Sequence, residues 1–207
     1  MKRERTKIDG RWLAIPVVLV AWLMLGCVNV SLGNMRGNGN VVGQERSAQG
    51  FDSVVLAGVG DVHVHPGEEF RVVVTTDNNI QDLITTSVSG STLHIGVQRN
   101  ASFTATRLTI DVYLPALRNV RLQGVGIIIV GAGEAPSLGI TLDGVGDISA
   151  QNFKAGNVNV DLSGVGDIRT WATDTLTGRI SGVGDVLFRG APTQSVDVRG
   201  VGRVERL

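Results

Sequence analysis

Gly144-Val145-Gly146-Asp147-Ile148 is the stretch on which the reading of this chain turns, because it returns five more times in close variants. The copies begin at Gly58, Gly124, Gly144, Gly164, Gly182 and Gly200, and the last five starts are 20, 20, 18 and 18 residues apart. A short fixed period of this kind marks a stacked, repetitive architecture. Aligned on the glycines, the residue two places before each copy is Leu56, Leu122, Leu142, Leu162, Ile180 or Val198. The residue four beyond the first glycine is Val62, Ile128, Ile148, Ile168, Val186 or Val204, and between the glycines stands Val59, Val125, Val145, Val165, Val183 or Val201. If one repeat makes one turn of a coil, equivalent residues stack about 4.8 Å apart and all three columns become strips of core. Glycines on both sides of a valine suit a corner where the backbone bends sharply while one branched side chain points inward.

The expected fold is therefore all-β: a parallel β-solenoid with 18–20 residue repeats, right-handed by analogy with the commoner parallel β-helices. An antiparallel meander is the rival, but a two-residue hairpin favours Asn-Gly or Asp-Gly, and valine is poorly suited to positive φ. Helical crossovers would need an amphipathic helix in each repeat, and none is visible. Composition agrees: 28 glycines, 4% aromatics and an apolar set dominated by Val and Ile favour regular β-structure. At 207 residues the chain is long enough to bury a true core.

The N-terminus sets an address. Lys2, Arg3, Arg5, Lys7 and Arg11 precede the apolar run Trp12 to Leu25, and Gly26-Cys27 follows. This is the layout of a secretory signal, and the run is short of the roughly 20 residues that a spanning helix needs. Met24-Leu25-Gly26-Cys27 resembles the bacterial lipobox, which implies acylation of Cys27 and cleavage before it, with Leu commoner where Met24 stands. Cys27 is the only thiol, so no internal disulfide forms. The division expected is a lipoprotein signal peptide at 1–26, a lipidated Cys27 and flexible tether at 27–48, and the β-domain at 49–207. Val28 after the cysteine resembles lipoproteins sent to an outer membrane, where one exists. From position 27 onward 14 basic residues face 17 acidic ones with no basic stripe, so nucleic acid is not an expected partner.

Between tether and repeats, Val54, Leu56, Val62, Val64 and Val72-Val73-Val74 alternate or run as strands. His65-Pro66-Gly67-Glu68 and Asp77-Asn78-Asn79 read as turns, Ile80 to Ile84 as one short helical turn. Leu93, Ile95 and Val97, then Leu108, Ile110, Val112 and Leu114, alternate again. Phe51 to Val64 is expected to cap one end of the coil and Arg203-Val204-Glu205-Arg206 the other. The second corner of each repeat varies: Gly131-Ala132-Gly133-Glu134, Asn152 to Gly156, Trp171 to Asp174, Gly190 to Thr193. Variable loops on a rigid scaffold are where recognition is placed.

Gly37-Asn38-Gly39-Asn40-Val41-Val42, Glu45-Arg46, Phe51-Asp52-Ser53-Val54, Asp77-Asn78-Asn79, Leu93-His94-Ile95 and Leu114-Pro115-Ala116-Leu117 leading into Gly124-Val125-Gly126 together resemble the bacterial head GIN domain family, also called an auto-transporter adhesin family. The resemblance covers about residues 36–207. It implies an all-β, solenoid-like fold, often on lipoproteins, and carries no catalytic residues. The family often has Ser between the glycines, where this chain has Val throughout.

Candidate chemistry is sparse. Asp61, Asp147, Asp167 and Asp185 follow the second glycine in four copies, with Ile127 and Arg203 in the other two. Asp147, Asp167 and Asp185 would stack into an acidic column able to draw calcium; alternatively each caps its corner through backbone N–H groups. His63 and His65 share a strand face and could begin a zinc or copper site, but further ligands are not evident and a polar strand face reads better. His94 is the third histidine. No Gly-x-Ser-x-Gly elbow or His-based triad appears, so no catalytic residue and no cofactor is assigned. Trp171, on alternation from Ile168, points outward and is a candidate contact or a cover for the flank, whereas Phe188 points in. The expected function is a lipid-anchored, non-catalytic binding or adhesion scaffold of the cell envelope, facing an envelope protein or surface glycan. A structural envelope spacer and a carbohydrate-active enzyme on a β-helix are the alternatives.

Overall fold

The structure is a computed structural model that describes residues 34–207; the expected signal peptide, Cys27 and the first part of the expected tether lie outside the described residues. Asn34–Leu207 form one compact unit. The elements are β1 (Met35–Arg36), β2 (Val41–Arg46), β3 (Ser53–Leu56), β4 (Val59–Pro66), β5 (Arg71–Asp77), a 3-10 turn (Gln81–Leu83), β6 (Ile84–Ser89), β7 (Thr92–Val97) and β8 (Phe103–Thr104). They continue as β9 (Leu108–Leu114), β10 (Asn119–Leu122), β11 (Val125–Val130), β12 (Gly133–Leu142), β13 (Val145–Leu162), β14 (Ile168–Ile180), β15 (Val186–Arg189), β16 (Thr193–Val198) and β17 (Val204–Arg206).

Two parallel ladders organise these strands. One runs β9-β4-β11-β13-β14-β15-β17, the other β7-β3-β10-β12-β13-β14-β16. The long strands β13 and β14 pass through both and join them into one sheet, an all-β, nearly closed, barrel-like wall around the core. Register follows the repeat, for Ile128 pairs with Ile148, Ile148 with Ile168, Ile168 with Val186, and Val186 with Val204. The shortening of the period from 20 to 18 is absorbed where the β13–β14 register shifts, between Ala150 and Asn157 on one strand and Thr170 and Thr175 on the other.

The core matches two of the three expected columns. Leu56, Leu122, Leu142, Leu162 and Ile180 are fully buried, as are Val62, Ile128, Ile148, Ile168 and Val186; the outermost members, Val198 and Val204, are not. The third column is corrected. The valines between the glycines are 41–70% exposed and line the outside of the corner. The backbone accounts for this: the second glycine of each copy from Gly60 to Gly184 has φ between +128° and +150°, which turns the chain so that the valine lies on the convex side. Each first glycine from Gly124 onward stacks directly on the carbonyl of the glycine one rung before, and a Cβ there would overlap that oxygen. Glycine is needed at this corner for close approach as much as for conformation.

The ends also differ from expectation. Phe51 to Val64 does not cap the stack, because β3 and β4 are internal rungs with parallel neighbours on both sides. That end is closed by antiparallel pairs instead: β5 on β9, β2 on β5 and β6 on β7. Residues placed in the tether thus form β2, whose pairing with β5 brings the fold well before position 49. At the other end Arg203 to Arg206 is the last rung rather than a cover, and its charges guard an open strand edge. The turns at His65–Glu68 and Asp77–Asn79 form, with Gly67 at φ +88°, and the helical turn falls at Gln81–Leu83.

A polar clip, buried at Asp77 and Gln81, fastens β2 to the closed end. Asp77 is fully buried; its Oδ1 accepts the Gly39 N–H at 2.7 Å and the Thr106 hydroxyl at 2.8 Å, and its Oδ2 accepts the Thr106 N–H at 2.7 Å. Burial pushes the carboxyl up, but these donors outweigh it and hold Asp77 below the usual carboxylate range. Beside it, Asn38 donates to Asn78 Oδ1 at 2.6 Å, and Gln81 Nε2 donates to the carbonyls of Val42 and Val74. The Gly-Asn-Gly-Asn and Asp-Asn-Asn segments, far apart in sequence, are the two halves of this clip.

Candidate functional site

The second corner carries two adjoining clefts. β12 and β13 stay in register through this corner, with Gly133 opposite Phe153, whereas β13 and β14 shift past one another between Ala150 and Asn157. A cleft of about 480 Å3 lies between Pro66-Gly67, Pro115 to Arg118, Gly133 to Ser137 and Phe153. A second cleft of about 500 Å3 adjoins it through Glu134, Ala135 and Pro136, and is lined further by Lys154, Gly156, Asn157, Thr173 and Asp174. Glu134 and Lys154 are register partners on β12 and β13, and Lys154 faces Trp171 across to β14. The groove thus offers both signs of charge, an amide and a hydroxyl over a wall of Pro and Ala. It suits recognition through several hydrogen bonds.

Trp171 points away from the core, as alternation requires with Ile168, Thr170 and Ala172 buried, but it is half-buried and its ring lies against Gly190, covering the flank. Phe188 is buried.

The structure brings the three aspartates together and shows what their oxygens do. Asp147 Oδ1 accepts the Asp167 N–H at 2.8 Å, Asp167 Oδ1 accepts the Asp185 N–H at 2.9 Å, and Asp185 Oδ1 accepts the Arg203 N–H at 3.0 Å. Each carboxylate caps the next rung's amide, not its own. The repulsion within the column is relieved by cations: Arg169 lies 3.3 Å from Asp167 and 3.8 Å from Asp147, and Arg203 lies 3.6 Å from Asp185. Among the described residues no three His, Cys, Asp or Glu side chains converge as a metal site requires.

His63 and His65 share a face and flank a residue that sequence reasoning missed, Asp111 on the neighbouring β9. Asp111 Oδ1 lies 3.6 Å from His63 Nδ1 and 3.2 Å from His65 Nε2. His65 also stacks on Tyr113 at 4.4 Å, and Arg71 sits over the other strand-side of that ring at 4.0 Å. The signal was available only through pairing: His63 to Asp111 and His65 to Tyr113 are register partners across β4 and β9, 48 residues apart. His94 sits on the other ladder beside Val55 and Ser87.

A model of the family described as "Putative auto-transporter adhesin, head GIN domain" matches residues 50–132 and 121–192. A search of curated proteins finds no match. Among solved structures, one titled a putative adhesin from Bacteroides fragilis is 20% identical, with a TM-score of 0.60 over 84% of this chain and 100% of that one. Another, titled a putative lipid binding protein from Parabacteroides distasonis, is 18% identical, with a TM-score of 0.52 over 84% and 100%. At these identities the likeness is one of fold. With a glycine-cornered β-stack, the two-part Asn clip and a family match spanning most of its length, the chain belongs to the head GIN domain family of auto-transporter adhesin type.

Proposed function

We propose that this is an exported, lipid-anchored scaffold of the cell envelope, held through Cys27 and binding without turnover by way of the second-corner groove. Each rung is one turn of a right-handed β-solenoid whose faces are the two ladders and whose two corners have separate tasks. One observation carries this reading: the repeated acidic side chains are consumed by the scaffold, whereas the open groove is lined by residues that do not repeat. Asp147, Asp167 and Asp185 cap amides, and His63 and His65 are held against Asp111. Glu134, Lys154, Asn157 and Asp174, by contrast, converge on the groove. Mixed charge and amide groups on a shallow cleft match the hydroxyl-rich surface of a glycan or the rim of an envelope protein.

The test is a panel of bacterial surface polysaccharides and oligosaccharides offered to the full chain, followed both for retention and for new reducing ends. Retention without cleavage is expected. Cleavage would replace this reading with the carbohydrate-active one, and a chain that retains nothing from glycans or envelope proteins would leave the spacer.

A further inference from the structure

We infer that the exposed valine line of the first corner is a self-association surface, on which two copies of this chain pair antiparallel about a two-fold axis. This goes beyond the groove reading and does not depend on it. Val59, Val125, Val145, Val165, Val183 and Val201 are bonded rung to rung in one parallel row. Each is 41–70% exposed. Five steps of about 4.8 Å make a straight ridge some 24 Å long. On both sides the next residue is glycine, so no neighbouring side chain screens the ridge from a second ridge laid against it. β-propensity alone explains a β-former at each position, but an exposed corner would accept Thr equally well. All six are apolar.

The flanking charges choose the partner and its direction. Beyond one trough lie Asp61, Ile127, Asp147, Asp167, Asp185 and Arg203; beyond the other lie Ala57, Gln123, Asp143, Ser163, Ser181 and Arg199. A two-fold axis along the ridge would set Asp147 against Asp143 and Arg203 against Arg199, like against like. With the axis across the ridge, rung one meets rung six, so Arg203 of each copy, which lies 3.6 Å from Asp185 and 2.8 Å from Glu205 of its own chain, also faces the exposed Asp61 of the other. Asp185 then faces Ile127. Asp147 faces Asp167, a like pair that the single Arg169 of each copy offsets in part. Of the two arrangements the antiparallel one alone sets opposite charges face to face, in two Arg203–Asp61 pairs each formed by one chain with its copy. The footprint, about 24 Å by roughly 13 Å across four residue steps, is below the ~800 Å2 per partner of a standard interface. The dimer is therefore weak and reversible in solution, and strengthened wherever chains are concentrated on one surface.

Cysteine pairing in the full-length protein tests this. Val59→Cys and Val201→Cys chains are mixed in equal amounts at high concentration and oxidised, and linked peptides are identified by mass spectrometry, which separates links through Cys27. The 59–201 link is expected to exceed 59–59 and 201–201 by about tenfold, since only opposite ends meet. Adding Arg203→Asp to the Val201→Cys chain should cut the 59–201 link about fivefold, and adding Asp61→Arg to the Val59→Cys chain should restore it. Val145→Asp with Val165→Asp, both at exposed positions, should abolish it while the melting temperature holds. Dominant like-to-like links, a 59–201 yield no greater than that of an off-ridge Val42→Cys control, or a link indifferent to the charge swap would each overturn the proposal. So would loss, in the ridge-aspartate variant, of binding to phosphatidylcholine vesicles with the link intact, which would make the ridge a lipid contact.

Discussion

The two corners of each rung solve different problems with the same chain. At the first corner six copies of Gly-Val-Gly stack in unbroken register, each glycine from Gly124 onward resting on the carbonyl of the rung before. At the second corner the rungs disagree: β13 and β14 slip past one another, two residues vanish from the period, and the space left over becomes a groove. Register, once enforced at one corner and along both ladders, need not be enforced again. The second corner is thereby freed to carry side chains chosen for something other than stacking.

If that division holds, the largest effect should come from adding a side chain at the first corner. Gly146 has φ +133°, and its Cβ would overlap the Gly126 carbonyl, so Gly146→Val should cost about 3–5 kcal/mol or prevent folding. Gly67, by the groove, has φ +88° but no atom within 4 Å of a Cβ; Gly67→Ala should cost only about 1–2 kcal/mol. Denaturant unfolding of both variants checks the contrast, and equal losses would break it. Next, Ile148→Ala, in the buried column, should cost about 2–5 kcal/mol, while Val145→Ala three residues away should stay within about 0.5 kcal/mol. That pair of melting curves separates the true core columns from the outward one.

Asp77 sharpens the comparison at the closed end. Its carboxyl is held below its ordinary value of 3.8, so its contribution to stability is fully present above that value and lost as pH falls through the lowered one. Asp77→Asn should therefore lower stability at neutral pH and flatten the acid limb of the unfolding profile below about pH 4, measured by chemical denaturation from pH 2 to 7. The smallest effect concerns calcium. Because Asp147, Asp167 and Asp185 already accept amide hydrogens and face Arg169 and Arg203, calcium or EDTA should leave the melting temperature unchanged; a large calcium-dependent rise would make the acidic column a metal ladder.

Much of the fold was legible because repetition turns sequence spacing into register. Leu142 to Leu162 and Ile148 to Ile168 are 20 apart in sequence and adjacent in space. The valine column was misread for a local reason: apolar identity at a constant position signals core only where strand alternation continues, and a glycine at positive φ interrupts it. The ends were illegible for the opposite reason, since β2, β5 and β6 do not repeat and pair antiparallel with distant partners. Of the candidate site, Glu134, Lys154 and Asp174 fell within the corners marked as variable, but Arg118 and Pro66, from other rungs, could be joined to them only by the fold. Asp111 lies beyond sequence reach for the same cause.

The most direct test of the division between corners is to compare the full-length chain with a Glu134→Ala, Lys154→Ala, Asp174→Ala variant, measuring retention of surface glycans and envelope proteins alongside melting temperature. The account predicts at least about tenfold weaker retention of whatever the parent chain binds, with the melting temperature unmoved. Undiminished retention by a variant that melts like the parent would contradict it, and would move recognition away from the second corner.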